Sequence, residues 1–191
     1  MIILGIDPGL NATGYGVINS STTPMQVLAV GAVCPPPDDT LPQRLLALHD
    51  GLARIIRAHH PQVMAIESVF VHYKHLTTAA MMAHARGVAC LVGAEHQLPV
   101  VEYLPTRAKK AVTGYGYASK DQIARSVGMW LQIDPAGLRA DATDALALAI
   151  AHAHVSEVPA QTAVLAKARR TRRLAPELAA ALAAAGKGAA P

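Results

Sequence analysis

Apolar residues in the first part of the chain recur with the spacing of strands. The segments IILGID, GYGVINS and MQVLAVGAV are short apolar runs separated by the turn-rich links LNAT and STTP. Short runs joined by short turns predict three antiparallel strands. Further along, VMAIESVF (63–70) and VVEYL (100–104) predict a fourth and a fifth strand.

Helical spacing is found in the other segments. Apolar residues from Leu41 to Ala58 recur every three or four positions, and residues 77–96 are rich in Ala and Met. Further helices are predicted on both sides of the glycine loop GYGYAS and in DATDALALAIAHAHV, over residues 107–113, 120–132 and 141–155. This order predicts an α/β fold: a five-stranded mixed sheet, with three antiparallel strands, two parallel strands and helices on both faces.

Length and charge divide the chain into a body and a tail. We expect a single domain over residues 1–156, because 191 residues suffice for one sizeable core. Residues 157–191 are rich in Ala and Arg and lack a broad apolar stripe, which predicts a mobile C-terminal tail. The net charge of +4 comes from this tail, since basic and acidic residues nearly balance in the body.

Cysteine usage and the N-terminus bear on the compartment. The two cysteines, Cys34 and Cys90, have no metal-ligand spacing and are too few for a disulfide framework. We expect both to be reduced, as in a reducing cytoplasm. No export signal and no uncharged apolar stretch of transmembrane length is visible, so the sequence predicts a cytoplasmic protein with no membrane contact.

Four acidic residues stand at the ends of predicted elements. Asp7 closes the first strand and Glu67 lies at the end of the fourth, while Asp141 and Asp144 share one face of the last helix's first turn. Close carboxylates repel one another unless cations neutralise them. Oxygen donors without His or Cys favour Mg²⁺ or Mn²⁺. If the last helix packs across this sheet edge, the four acids form a divalent metal site.

Each acid also has an ordinary structural explanation. Asp7 could cap the turn at Pro8 and Gly9, and Glu67 could be a solvated strand end. Asp141 and Asp144 could simply interact with the positive end of the helix dipole. Only their combined placement favours the metal site.

Four separated motifs resemble one known family. The segments GIDPGLNATGYGVI, AIESVF, ARGVA and DATDALALAIAHAHV are similar to the RuvC crossover junction endodeoxyribonucleases, and the resemblance runs from Met1 to about His154. It implies a ribonuclease H-like fold, with Asp7, Glu67, Asp141 and Asp144 as catalytic and metal-binding residues. Some similar proteins have His at the third of these positions, where this chain has Asp141.

The resemblance also implies an activity and its partners. The family cuts four-way (Holliday) junction DNA symmetrically as a homodimer, with two Mg²⁺ or Mn²⁺ ions per active site, in DNA recombination and repair. The products would be 5′-phosphate and 3′-hydroxyl ends. The RuvA–RuvB branch-migration complex is the further partner implied. The Ala- and Met-rich helix at residues 77–96 is our candidate dimer interface, although core packing explains its composition equally well.

Basic and aromatic residues near the predicted site are candidates for DNA contacts. A cluster between residues 107 and 125 suits phosphate binding, by Arg107, Lys109, Lys110 and Lys120, although a solvated face would look similar. Lys109 and Lys120 coincide with basic DNA-contacting positions of the family. The segment after Glu67 adds Phe70, Tyr73 and Lys74. Phe70 could stack on an unpaired base, or it could end the strand as part of the core.

Three alternatives remain at the level of sequence. An actin- or sugar-kinase-like ATP-handling protein has a similar first loop but needs a second lobe. A catalytically silent junction-binding module would use only the basic residues and would not need four acids. A smaller YqgF-type nuclease begins similarly but lacks the basic, glycine-punctuated segment.

Overall fold

Five strands form one mixed sheet in the spatial order β3–β2–β1–β4–β5. The structure is a computed structural model, and it describes residues 1–68 and 76–156, with only the backbone at 76–78. The strands are β1 (Ile2–Asp7), β2 (Thr13–Asn19), β3 (Gln26–Val33), β4 (Val63–Glu67) and β5 (Val100–Tyr103). β1, β2 and β3 pair antiparallel, whereas β4 is parallel to β1 and β5 is parallel to β4. The predicted mixed topology is confirmed.

Five α-helices complete the described fold. They are α1 (Leu41–His59), α2 (Leu76–Glu95), α3 (Pro105–Thr113), α4 (Lys120–Leu131) and α5 (Ala140–Ser156). The segment predicted as a turn before α5 forms a short 3₁₀-helix, Pro135–Gly137. Within the described part of the chain, no helix is long and apolar enough to span a membrane.

The fourth strand is shorter than its apolar run. The sequence predicts a strand through Phe70, but β4 ends at Glu67, and Ser68 already lies outside it. Its neighbours β1 and β5 end at Asp7 and Tyr103, and the Ser68 N–H still donates to the carbonyl of Tyr103 at 2.9 Å; Val69 and Phe70 lie outside the described residues. An apolar run alone does not show where the neighbouring strands stop.

Alternation along the strands sorts their side chains onto two covered faces. Ile3 of β1 and Ala65 of β4 pack in one core cluster with residues of α3, α4 and α5. Leu4 and Ile6 pack in a second cluster with residues of α1 and α2. The helices on both faces are therefore confirmed.

Small residues let α5 lie directly on the sheet. A Cβ at Gly5 of β1 would overlap the carbonyl oxygen of Ala145, and one at Gly14 of β2 would overlap that of Asp141. Only glycine permits this close approach of a helix backbone to a strand. The two glycines therefore fix the height and position of the first turns of α5.

Candidate active site

Strand register places Asp7 and Glu67 side by side. β1 and β4 are parallel and Ile6 pairs with Ile66, so the next residue on each strand is an acid at the same sheet edge. Asp7 is two residues beyond Gly5, and Glu67 is two beyond Ala65, so both side chains point to the face that α5 covers. The expected juxtaposition of these two acids is observed.

The start of α5 brings the other two acids to this edge. Gly14, which contacts the backbone of Asp141, is also the β2 residue paired with Asp7. Asp144 follows three residues later on the same helix face and is half-buried. The helix therefore presents its first turn to the ends of β1 and β4.

Burial and mutual repulsion favour the protonated form of three of the four carboxyl groups. Burial raises the pKa of Asp7 to about 7, and the negative charges of Glu67, Asp144 and, more weakly, Asp141 act in the same direction. Burial likewise raises the pKa of Glu67 and of Asp144. A hydrogen bond with Asp7 lowers the pKa of Glu67, so Asp7 is the donor and Glu67 the acceptor. Such a cluster needs protons or cations to offset its charge.

Asp141 is held by a neighbouring cation. The Nη2 of Arg139 lies 2.8 Å from its Oδ2, and the Nε of Arg139 lies 3.1 Å from Oδ1. This hydrogen bond lowers the pKa of Asp141, opposite to the shift at the other three acids. Sequence reasoning missed Arg139, although its position two residues before the DxxD pair was a visible signal.

The donor set fits a hard divalent cation, but the ligands are not assembled. All four side chains offer carboxylate oxygens, which Mg²⁺ and Mn²⁺ prefer. Among the described residues, however, no group of three or more His, Cys, Asp and Glu side chains is placed to hold a metal ion. The ion pair with Arg139 explains why Asp141 is not placed to bind a metal ion, because a carboxylate bound by a guanidinium fork has few lone pairs left.

Two lysines border the acids. Lys109 of α3 and Lys120 of α4 line a cavity of about 160 Å³ together with Glu67 and Asp144. The charge of Lys109 lowers the pKa of both acids, and that of Lys120 lowers the pKa of Asp144. Ser119 caps α4 by accepting a hydrogen bond from the Gln122 backbone, which fixes the helix start where Lys120 lies.

Comparison with known proteins identifies the family. The family model "Crossover junction endodeoxyribonuclease RuvC" matches residues 3–152. The chain belongs to the RuvC family. It is 49% identical over 155 residues to the crossover junction endodeoxyribonuclease RuvC of Rhodopseudomonas palustris (strain TIE-1), covering 80% of this chain and 86% of that protein. To the RuvC of Rhodopirellula baltica it is 41% identical over 162 residues, covering 85% of this chain and 91% of that protein.

A solved RuvC structure agrees with the fold. The T. thermophilus RuvC in complex with a Holliday junction substrate is similar to this chain with a TM-score of 0.76 and 27% identity, covering 82% of this chain and 94% of that one. The ribonuclease H-like fold is confirmed. As a RuvC nuclease the chain is an enzyme, of a family that depends on divalent metal ions. Because the family is RuvC, the ATP-handling, YqgF-type and catalytically silent alternatives are wrong.

The structure describes some of the other residues that were predicted to contact DNA in this RuvC chain. Arg107 and Lys110 are exposed on α3. Phe70, Tyr73 and Lys74 lie outside the described residues, as does the tail from residue 157 onward. The ARGVA motif acquires a visible role, because Arg86 of α2 forms an ion pair with Glu102 of β5.

Proposed function

We propose that this chain resolves four-way junction DNA by hydrolysing phosphodiester bonds at the edge where β1, β4 and α5 meet. The observation that carries the proposal is the placement of three half-buried acids, Asp7, Glu67 and Asp144, whose burial and mutual repulsion raise the pKa of each, that of Asp7 to about 7. Clustered carboxyl groups with raised pKa values can release their protons when divalent cations bind and neutralise their charge. Asp7, Glu67, Asp141 and Asp144 would hold the ions, two per site, as Mg²⁺ or Mn²⁺.

The protein's part in the reaction is to hold the ions and the DNA phosphate in fixed positions relative to one another. When bound, the two ions supply an acidified water as nucleophile and stabilise the leaving 3′-oxygen, which yields 5′-phosphate and 3′-hydroxyl ends. The charges of Glu67, Asp144 and Asp141 all raise the pKa of Asp7, so Asp7 would hold the ions together with these three acids. Asp141 would turn from Arg139 toward the ions.

Basic side chains would position the substrate. Lys109 and Lys120 lie beside Glu67 and Asp144, where they can bind the phosphate that is cut or its neighbour. Arg107 and Lys110 are exposed on the same helix as Lys109 and would bind phosphates farther along the strand. Phe70 would stack on a base unpaired at the crossover, with Tyr73 and Lys74 contacting the same strand.

Paired cutting requires two sites related by symmetry. A homodimer presents identical sites to a junction that is itself nearly two-fold symmetric. We place the dimer interface on α2, because Met81 and Leu91 are large apolar residues that this helix leaves exposed. The enzyme would act in the cytoplasm with the RuvA–RuvB branch-migration complex, and residues 157–191 would form a mobile basic tail outside the 1–156 domain.

Cleavage of a synthetic four-way junction tests the proposal. The chain is incubated with the junction or with a linear duplex of the same arm sequence, with Mg²⁺, with Mn²⁺ or with a chelator. We expect paired nicks in the junction only, and only with metal. Asp7→Asn should bind the junction but reduce cutting at least about 100-fold, whereas Asp38→Asn, an exposed acid before α1, should cut normally. Equal cutting of the duplex, or normal cutting by Asp7→Asn, would refute the proposal.

A further inference from the structure

Two tyrosines are displayed to solvent in the loop between α3 and α4. Tyr115 is 59% exposed and Tyr117 is 79% exposed, and their ring centroids lie 5.8 Å apart. Large aromatic rings are usually buried, and paired exposed rings commonly mark a binding surface. Neither ring takes part in the acid site described above.

The loop that carries the tyrosines has a defined conformation. The hydroxyl oxygen of Thr113 lies 2.8 Å from the carbonyl oxygen of Lys109 and 2.9 Å from that of Tyr115, so its single proton can be donated to either, and it accepts from the Tyr115 backbone N–H at 3.1 Å. Gly114 ends α3 in the left-handed region at φ +80°, and its N–H donates to the carbonyl of Lys110. Buried Ala118 anchors the other end. The two tyrosines are therefore held in solvent-exposed positions by an ordered, hydrogen-bonded loop.

The loop folds back onto the basic face of α3. A Cβ at Gly116 would lie 3.1 Å from the carbonyl oxygen of Thr106 and 3.9 Å from the Cβ of Lys110. Arg107 follows Thr106 directly, and both it and Lys110 are exposed. Within the described residues, neither cation forms an ion pair. Aromatic rings among uncompensated cations form a surface suited to a polyanion with stackable or apolar parts.

We propose that Tyr115 and Tyr117 form a DNA contact next to the strand that is cut. The inference rests on the proposed function, because α3 and α4 also carry Lys109 and Lys120 beside the acids. Each ring packs against a sugar or an unstacked base, and each hydroxyl donates to a phosphate oxygen. The rings add affinity without adding charge, in contrast to the lysines.

Junction binding by a double variant tests this contact. Affinity for a fluorescently labelled four-way junction is measured in a chelator over a series of salt concentrations, for the wild type and for Tyr115→Ala/Tyr117→Ala. We expect the double variant to bind at least about fivefold more weakly, with an unchanged salt slope, because no phosphate-neutralising cation is lost. Tyr115→Phe/Tyr117→Phe should recover most of the affinity, since it keeps both rings.

A matched control removes a third exposed apolar side chain. Met129 is 80% exposed in the last turn of α4, and Met129→Ala should bind the junction as the wild type does. Equal affinity of the folded double-alanine variant and the wild type would overturn the inference and would leave a protein partner as the reason for the exposed rings. Should the double variant unfold, the junction affinity of Tyr117→Ala is measured instead, because this position is more exposed; an affinity equal to that of the wild type would overturn the inference. A wild type that fails to cut junctions with metal would instead refute the proposed function.

Discussion

At the scale of single residues, Asp7 couples protonation to stability. Its carboxyl releases a proton at pH 3.8 when unperturbed and at about 7 in the folded chain. Between these pH values the folded state binds more protons than the unfolded state. The contribution of Asp7 to the free energy of unfolding of the metal-free protein therefore falls as pH rises from about 4 to about 7.

Asp7→Asn removes this titration. We expect wild-type stability relative to Asp7→Asn to decrease by a few kcal/mol over this pH range in a chelator. Urea unfolding at several pH values measures the difference, and Asp38→Asn serves as the control with an exposed carboxylate. If the free energies of unfolding of the wild type and Asp7→Asn changed in parallel with pH, the conclusion that burial raises the pKa of Asp7 would be contradicted.

Arg139 competes with a cation for Asp141. Its guanidinium occupies both oxygens of that carboxylate, so metal binding must first break the ion pair. We expect Arg139→Gln to bind Mn²⁺ several-fold more tightly, since the metal then no longer has to displace a guanidinium from Asp141. Calorimetric titration with Mn²⁺ measures the affinity. Arg125→Gln, which changes an exposed cation of α4, should leave it unchanged, and weaker binding by Arg139→Gln would show that the arginine supports the site.

At the scale of elements, the contact between α5 and the sheet determines where the DxxD pair lies. Gly5→Ala would force the Ala145 carbonyl and its helix away from β1. We expect a loss of stability of about 1–3 kcal/mol, measured by urea unfolding, and a larger relative loss of cleavage. Gly137→Ala is the control, because nothing lies within 4 Å of its added Cβ. Equal stability of the two variants would contradict the close packing.

The elements show why some of the site was predictable from sequence. Asp7 and Glu67 were predicted together because apolar runs show where strands end, and parallel strands share an edge. The predicted continuation of the fourth strand was wrong at Ser68, and Val69 and Phe70 lie outside the described residues. The pairing of Arg139 with Asp141 depends on side-chain conformations, which periodicity does not contain.

At the scale of the whole molecule, the proposed two-fold dimer depends on contacts between the α2 helices of two copies. Leu91 is 54% exposed on this helix and would be covered in the proposed dimer. We expect Leu91→Glu to shift the protein toward monomer and to convert paired cuts into rare single nicks. Light scattering after size-exclusion chromatography measures the mass. Leu46→Glu on α1, where Leu46 is 60% exposed, should remain dimeric; a dimeric Leu91→Glu would place the interface elsewhere.

The proposed metal site requires that four acids from separate parts of the chain bind divalent cations where β1, β4 and α5 meet. Anomalous diffraction from crystals soaked in Mn²⁺ tests it most directly. We expect two anomalous peaks among the carboxylates of Asp7, Glu67, Asp141 and Asp144, and their loss in Asp7→Asn. Peaks confined to other parts of the molecule, or none in the wild type at saturating Mn²⁺, would contradict it.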